Sequence, residues 1–232
     1  MKILAIDSSA KAVSVAMIED RRLLGEFFVN VGLTHSQTLM PMVDDLLKNV
    51  NIGVNEIDAF AVSVGPGSFT GLRIGISAIK GMALVGEIPC LEVSTLHAMA
   101  YNFIGESAII CAVMDARCNQ VYNAFFEVCD EKVTRLTPDR TLSIEDLYSE
   151  LETLEKKVIF VGDGAVLCYN KNKSGLNMQL AYESKRFQRA SGVAFAAYEA
   201  HLNGAIVTDS AVLVPKYLRI PQAERELNKK SI

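Results

Sequence analysis

The sequence predicts an α/β protein built as two lobes that meet near Gly105. Three observations carry that expectation. Residues 2–31 hold three short apolar runs, 2–7, 12–18 and 21–31, separated only by the turns Ser8-Ser9-Ala10-Lys11 and Asp20-Arg21. A helical stretch, a strand and a second helix follow. From residue 108 a new strand group begins, with runs at 108–115, 120–128 and 132–136, and it has helices of its own.

Within the first group, the hairpin of 2–18 can point backbone N–H groups and the Ser8 and Ser9 hydroxyls at a phosphate, with Asp7 facing a metal-bound water. A plain Asp-Ser turn is the alternative. Next comes a helix over 35–48 with Leu39, Val43, Leu46, Leu47 and Val50 as its packing face. Pro41 is tolerated in a first turn, which places the helix start near Thr38. Met40 and Met42 fall off the main face and suit either an adaptable contact surface or a gap in the core. His35 reads as a capping or packing residue.

The stretch 58–85 is the most informative. Residues 58–64 (DAFAVSV) form a buried strand stopped by Gly65-Pro66-Gly67. Ser68 or Thr70 caps the helix that follows, about 71–85, because a side-chain oxygen can accept from an orphan backbone N–H. Gly71, Gly75 and Ala78 form one stripe of this helix, with Gly81 at its edge. Leu72, Ile76, Ile79 and Ala83 form another, and the polar arc is only Arg73, Ser77 and Lys80. A helix apolar nearly all round is buried on two sides. An interior glycine costs roughly 0.5–1 kcal/mol relative to alanine, so three of them need a reason. Close approach by another backbone supplies one, with one side on the domain's own sheet and the other on a second helix, within the chain or on a partner. On this reading Gly75→Arg loses association with little unfolding. The other reading, a phosphate loop at a helix N-terminus, lacks the Lys-Ser/Thr of a P-loop.

Further on, 88–93 is a strand, and Ser94 or Thr95 caps a helix to about 103. Thr141 or Ser143 caps a helix to about 155. Residues 158–161 form a strand entering the turn Gly162-Asp163-Gly164. Residues 170–175 are a polar loop. Residues 189–203 form an amphipathic helix with Val193, Ala196, Ala197 and Ala200 inward. The expected lobes are 1–104 and 105–204, with 205–232 able to return to the first.

Half of the 232 residues are hydrophobic and 22% are charged, the balance of an ordinary globular chain. A net charge of −4 argues against a protein that grips nucleic acid alone, yet leaves room for a subunit whose partner supplies the basic surface. The cysteines (Cys90, Cys111, Cys118, Cys129, Cys168) are scattered, without C-x-x-C spacing, and read as reduced thiols. The start of the sequence shows no signal-peptide pattern and no run reads as a membrane span. A cytoplasmic location away from membranes is the expectation.

Four stretches together carry a family resemblance. They are Ile3-Leu-Ala-Ile-Asp-Ser-Ser9 with Ser14-Val-Ala16; His35-Ser-Gln37 with Pro41; Gly65-Pro-Gly-Ser-Phe-Thr-Gly-Leu-Arg-Ile-Gly75; and Pro215-Lys-Tyr-Leu-Arg219 with Pro221-Gln-Ala-Glu-Arg225. Over its whole length the sequence resembles the TsaB (YeaZ) family, bacterial partners in making N6-threonylcarbamoyladenosine at position 37 of tRNAs that read ANN codons. The resemblance implies a two-lobed actin/hexokinase-like (ASKHA, ribonuclease H-like) α/β fold. It implies a non-catalytic, dimerising scaffold that binds and activates the paralogue TsaD, together with the ATPase TsaE, and meets tRNA only through that complex. It assigns no cofactor to the isolated chain and places ATP or ADP, if anywhere, at the complex interface.

The same resemblance implies a heterodimer or homodimer interface on the helices after His35 and Gly67: His35, Leu39, Met42, Val43, Leu46, Gly71, Arg73, Ile74, Gly75, Ala78 and Met82. It leaves Asp7, Ser8 and Ser9 as a vestigial phosphate site. The catalytic paralogues carry two histidines at i, i+4. The corresponding place here has His97, with Val93 four residues before and Tyr101 four after, and one histidine cannot make that metal site. No H-E-x-x-H and no nucleophile–base pair supports peptidase chemistry. The competing reading is a nucleotide-binding ATPase or kinase-like enzyme of the same superfold, using Asp7, Ser8 and Ser9 with Gly162 and Gly164 opposite.

Overall fold

A computed structural model describes residues 1–171, 176–205 and 208–219. The motif 221–225 and most of the 170–175 loop lie outside the described residues. In chain order the elements are β1 (Lys2–Asp7), β2 (Val13–Glu19), β3 (Arg22–Val29), α1 (His35–Val50), β4 (Ala59–Gly65), α2 (Phe69–Gly86), β5 (Cys90–Ser94) and α3 (Thr95–Ala100). There follow β6 (Ser107–Asp115), β7 (Gln120–Cys129), β8 (Lys132–Arg135), β9 (Arg140–Ser143), α4 (Ile144–Leu151), β10 (Val158–Val161), α5 (Ala165–Tyr169), β11 (Met178–Leu180), α6 (Glu183–Arg186) and α7 (Ala190–Leu202).

The first sheet runs β3-β2-β1-β4-β5, with β1, β2 and β3 antiparallel and β4 and β5 added parallel to β1. The second sheet runs β11-β10-β6-β7-β8, with β9 also on β7, and repeats the plan. β1, β4 and β6 are covered on both faces, which is why they read as continuous apolar runs instead of alternating ones. The chain has the α/β fold of two mixed sheets flanked by helices that the resemblance implied.

The layers follow from which face each helix buries. α1 and α2 cover the outer face of the first sheet through Leu39, Val43, Leu46, Ile76 and Ile79. α4 and α5 cover the outer face of the second through Ile144, Leu147, Leu151, Ala165 and Cys168. Between the sheets lie α3 and α7. Although it falls within 105–204, α7 packs on the first sheet, its Ala190, Val193, Ala194 and Ala197 against Ile3, Ala5, Ala16 and Ala61. The small side chains allow this closeness; a Cβ at Gly192 would stand 2.3 Å from the Ala98 carbonyl oxygen.

Several local expectations need correction. α1 starts at His35, so Pro41 lies inside it. The ring sits on the exposed side, where water can satisfy the freed carbonyl one turn back. Met42 points into the core, not off it. α4 ends at Leu151, and β9, β11, α5 and α6, all short, carry too few residues to show a period. Finally, α2 is long and apolar enough to span a membrane by length and composition, although only a third of it is buried. Gly71, Leu72, Gly75, Ile76, Ile79 and Ala83 form its inner side against the sheet, so among the described residues its apolar outer side is only partly covered.

Candidate functional site

β1 ends in a buried turn whose Asp7, Ser8 and Ser9 side chains find hydrogen-bond partners inside the protein. Asp7 is 1% exposed. Its Oδ1 accepts from the Ser9 backbone N–H at 2.9 Å and the Ser9 hydroxyl at 2.7 Å, and its Oδ2 accepts from the Ser63 hydroxyl at 2.5 Å. Burial raises its pKa, and the bonds from Ser63 and Ser9 work against that rise. Ser8 donates to the Gly71 carbonyl at 2.9 Å. Two glycines of the small stripe in α2, and Gly67 just before the helix, explain themselves here. A Cβ at Gly67 would lie 2.4 Å from the Ser9 carbonyl oxygen, at Gly71 2.0 Å from the Ser8 carbonyl oxygen, and at Gly75 2.4 Å from Ser8 Oγ. The close approach foreseen from the glycines is real, but its occupant is the chain's own β1–β2 turn. Gly71 and Gly75 are therefore not available to a partner, and Gly75→Arg strikes the core, not an interface.

Beyond this turn an interlobe cleft of about 510 Å³ opens. Ser9 and Lys11 line it from the first lobe, Ser68 and Thr70 from the start of α2, and Asp115, Arg117 and Asp163 from the second lobe; Arg219 reaches it from the C-terminal segment. Ser68 is the cap of α2, accepting from the Gly71 N–H at 3.3 Å. Asp163 sits between Gly162 and Gly164 because both glycines press on the end of β6. A Cβ at Gly162 would be 2.0 Å from the Val113 carbonyl oxygen, and its φ of +105° also favours glycine. Asp163 keeps an open face to the cleft, yet the protein atoms crowding its carboxylate raise the pKa to about 6, against a hydrogen bond from the buried Gln188 amide at 3.1 Å. The sequence reading singled out the two glycines of this turn and missed the carboxylate they carry.

The α1/α2 face redistributes the predicted contact residues. Met42, Val43 and Leu46 are buried in the first lobe's core, and so is Leu39, although it also forms part of the floor of a groove on this face. His35 is half-buried, with Nε2 2.7 Å from the Ala10 carbonyl oxygen, and ties the start of α1 to the β1–β2 turn. Arg73 is exposed, and Ile74, Ala78 and Met82 are half-exposed. Two adjoining grooves run along this face. One, of about 470 Å³, is lined by His35, Met40, Arg73, Ile74 and Ala78 among others. The next, of about 530 Å³, is lined by Met40, Val54, Ala78, Gly81, Met82 and Val85 with Ser77. Met40 is 44% exposed and Val85 88%. Val54, Gly81 and Val85, which line this groove, were not among the predicted contact residues. The signal for two of them was present in the spacing Ile74, Ala78, Gly81, Val85, a stripe separate from the inward one.

His97 is a packed interlobe side chain. It stacks on Phe126 with ring centroids 5.3 Å apart and meets the edge of Tyr101. Burial, aided by Arg135, lowers its pKa to about 4. The unfolded histidine titrates near 6.5, so the unfolded state binds the extra proton between those values. This contribution is fully present above pH 6.5 and is lost as pH falls toward 4, in all about 3 kcal/mol. The dependence of unfolding free energy on pH over that window, from urea melts, is expected to tilt correspondingly less toward acid instability in His97→Gln; identical slopes would refute the assignment. Among the described residues no three His, Cys, Asp or Glu side chains gather as a metal-holding group.

Comparison with known proteins gives one consistent answer. Residues 30–227 match the family described as "TsaD: tRNA N6-adenosine threonylcarbamoyltransferase". The chain is 29% identical to the tRNA threonylcarbamoyladenosine biosynthesis protein TsaB of Bacillus subtilis (strain 168), over 97% of this chain and 96% of that one. It is 34% identical to the protein of the same name from Escherichia coli (strain K12), over 71% of this chain and 72% of that one. Among solved structures it is similar to YeaZ from Pseudomonas aeruginosa, with a TM-score of 0.78 at 25% identity, covering 94% of this chain and 99% of that one.

Proposed function

The chain belongs to the TsaB (YeaZ) family and has a role in tRNA threonylcarbamoyladenosine biosynthesis, and from that premise we propose that it is a non-catalytic subunit that docks on a TsaD paralogue through the outer face of α1 and α2. One observation carries the reading: α2 is apolar nearly all round, yet only a third of it is buried. Met40, Val54, Leu84 and Val85 stand exposed on or beside its open side, where an apolar patch on a soluble protein marks an interaction surface. In this reading the subunit works by packing. It buries these side chains against TsaD and fixes the relative setting of TsaD's lobes, while TsaE and tRNA join the pair. A homodimer would use the same face, so the two assemblies compete.

Reconstitution tests the proposal. TsaD, TsaE, threonylcarbamoyl-adenylate and tRNA are expected to yield modified adenosine only when this chain is added. Equal product without it would overturn the scaffold role.

A second reading has one observation in its favour. Asp163 holds its pKa near 6 in the interlobe cleft, where a carboxylate can take or give a proton near neutral pH. A nucleotide-using enzyme would employ this group and not Asp7, whose oxygens are occupied by Ser9 and Ser63. Phosphate release from magnesium-ATP by the purified chain, abolished in Asp163→Asn, would establish it. Absence of release at saturating ATP would dismiss it.

A further inference from the structure

Arg73 is a cation that the α1/α2 face leaves without a carboxylate. It stands exposed in the second turn of α2 and lines the groove that also holds His35, Met40, Ile74 and Ala78. Among the described residues, Arg73 is the one lysine or arginine lining either groove of this face, and no aspartate or glutamate lines them. Four other arginines are paired within the chain: Arg21 with Glu131, Arg135 with Asp139, Arg140 with Glu150 and Arg189 with Glu26. Arg73 instead gives its Nε–H to the Tyr217 hydroxyl at 2.8 Å. Among the described residues its Nη–H donors have no partner.

Tyr217 fixes where those free donors stand. Its ring lies on Phe69, centroids 4.5 Å apart, and the Arg73 guanidinium carbon is 5.7 Å from its centre. The backbone beside it is held as well, the Lys216 N–H donating to the Val64 carbonyl at 2.7 Å. A guanidinium held through Nε keeps its planar Nη fork for the two oxygens of a carboxylate, and a fork already in place loses less freedom on binding. The helix starts add to its charge. His35 and Ser36 open α1 in the same groove as Thr70 of α2, and neither helix has an acidic residue in its first turn. The positive ends of two helix dipoles therefore lie beside Arg73 unopposed.

We propose that the TsaD paralogue docking on this face presents an aspartate or glutamate carboxylate to the Nη fork of Arg73, with apolar side chains beside it seated in the two grooves. This rests on the docking reading above and adds the chemistry of its central polar contact. Charge complementarity selects the occupant. An apolar face bearing one unpaired cation fits an apolar surface bearing one anion, and a basic segment laid there would set like charges against each other.

Calorimetric titration of the full chain against TsaD at low and high salt tests it, with a thermal melt of each free chain. Arg73→Gln keeps a neutral donor and removes the charge. It is expected to weaken binding at low salt by about tenfold to a hundredfold, the loss that goes with a charge-assisted hydrogen bond. It should also bind almost alike at both salts, whereas the unsubstituted chain weakens as salt rises. Arg73→Glu sets a carboxylate against a carboxylate and should weaken binding further. Tyr217→Phe keeps both the charge and the ring, so its loss should be smaller than that of Arg73→Gln; an equal loss would assign the effect to the C-terminal segment and overturn the proposal. If both Arg73 variants bind as tightly as the unsubstituted chain while Gly81→Arg, in the neighbouring groove, does not, the acidic contact is overturned and docking stands. If Gly81→Arg also binds undiminished, docking itself fails and the proposal with it.

Discussion

Gly81→Arg is expected to weaken binding of the TsaD paralogue by about a hundredfold or more while leaving the fold intact. The position combines two properties rarely found together. It lies on the open side of α2, in the groove with Met40, Ala78, Met82 and Val85. A Cβ there would meet nothing within 4 Å. The monomer therefore accommodates a Cβ at this exposed position, and removing a glycine from a helix interior even favours the helix by roughly 0.5–1 kcal/mol. In the complex the same side chain would push a cation into an apolar contact between two helices, where it must be desolvated without a partner. Losses of about 3 kcal/mol or more are typical when a central contact of an interface is spoiled. Calorimetric titration against TsaD, with a thermal melt of each free chain, separates the two effects. Undiminished affinity would place the interface elsewhere. A large drop in Tm would mean that the outer face of α2 is not free.

The fold was legible in the sequence because its signals are redundant. The apolar runs of β1, β2, β4 and β6, the capping Ser68 and Ser94, and the glycines around Pro66 each point to the same elements, and each of these residues plays the role read for it. The contact face was less legible for a physical reason. A glycine stripe says that something comes very close, but not what. Gly71 and Gly75 admit Ser8, 63 and 67 positions away in the chain, and nothing in the local pattern distinguishes that from an approaching partner helix. The apolar face of α1 misleads in the same way: Leu39, Val43 and Leu46 look equally suited to a dimer and to a sheet, and the sheet is what they cover. Asp163 was invisible because the crowding that raises its pKa, and the Gln188 amide that works against the rise, are brought to it only by the folded chain. Residues that make the outer face, Met40, Gly81 and Val85, are recognisable once the inward stripe of α2 has been assigned to the chain itself.

Gly71→Ala supplies the complementary test, and its expected effect is on stability. The added methyl would sit 2.0 Å from the Ser8 carbonyl oxygen, and the neighbour it meets is backbone, not the end of a flexible side chain. That backbone cannot retreat cheaply. Ser9 and Ser63 hold Asp7, the residue before it, from three directions, and Ser8 itself donates back to the Gly71 carbonyl. Relief would have to come from moving α2 off the first sheet, which opens contacts of Leu72, Ile76 and Ile79 with the core. Overpacking in a well-filled core costs about 1–3 kcal/mol, and a contact this short against a fixed turn belongs at or above the top of that range. Gly75→Arg, which meets Ser8 Oγ at 2.4 Å and must also bury a cation, is expected not to fold. Gly81→Ala is the internal control, because it makes the same chemical change one face away and should stabilise by roughly 0.5–1 kcal/mol. Urea unfolding of the unsubstituted chain, Gly71→Ala and Gly81→Ala reads the difference directly. The sign must reverse between Gly71→Ala and Gly81→Ala. If both substitutions are neutral, α2 does not lie on the β1–β2 turn as closely as the glycines require, and the division of the helix into an inner, self-packed side and an outer, partner-facing side fails with it.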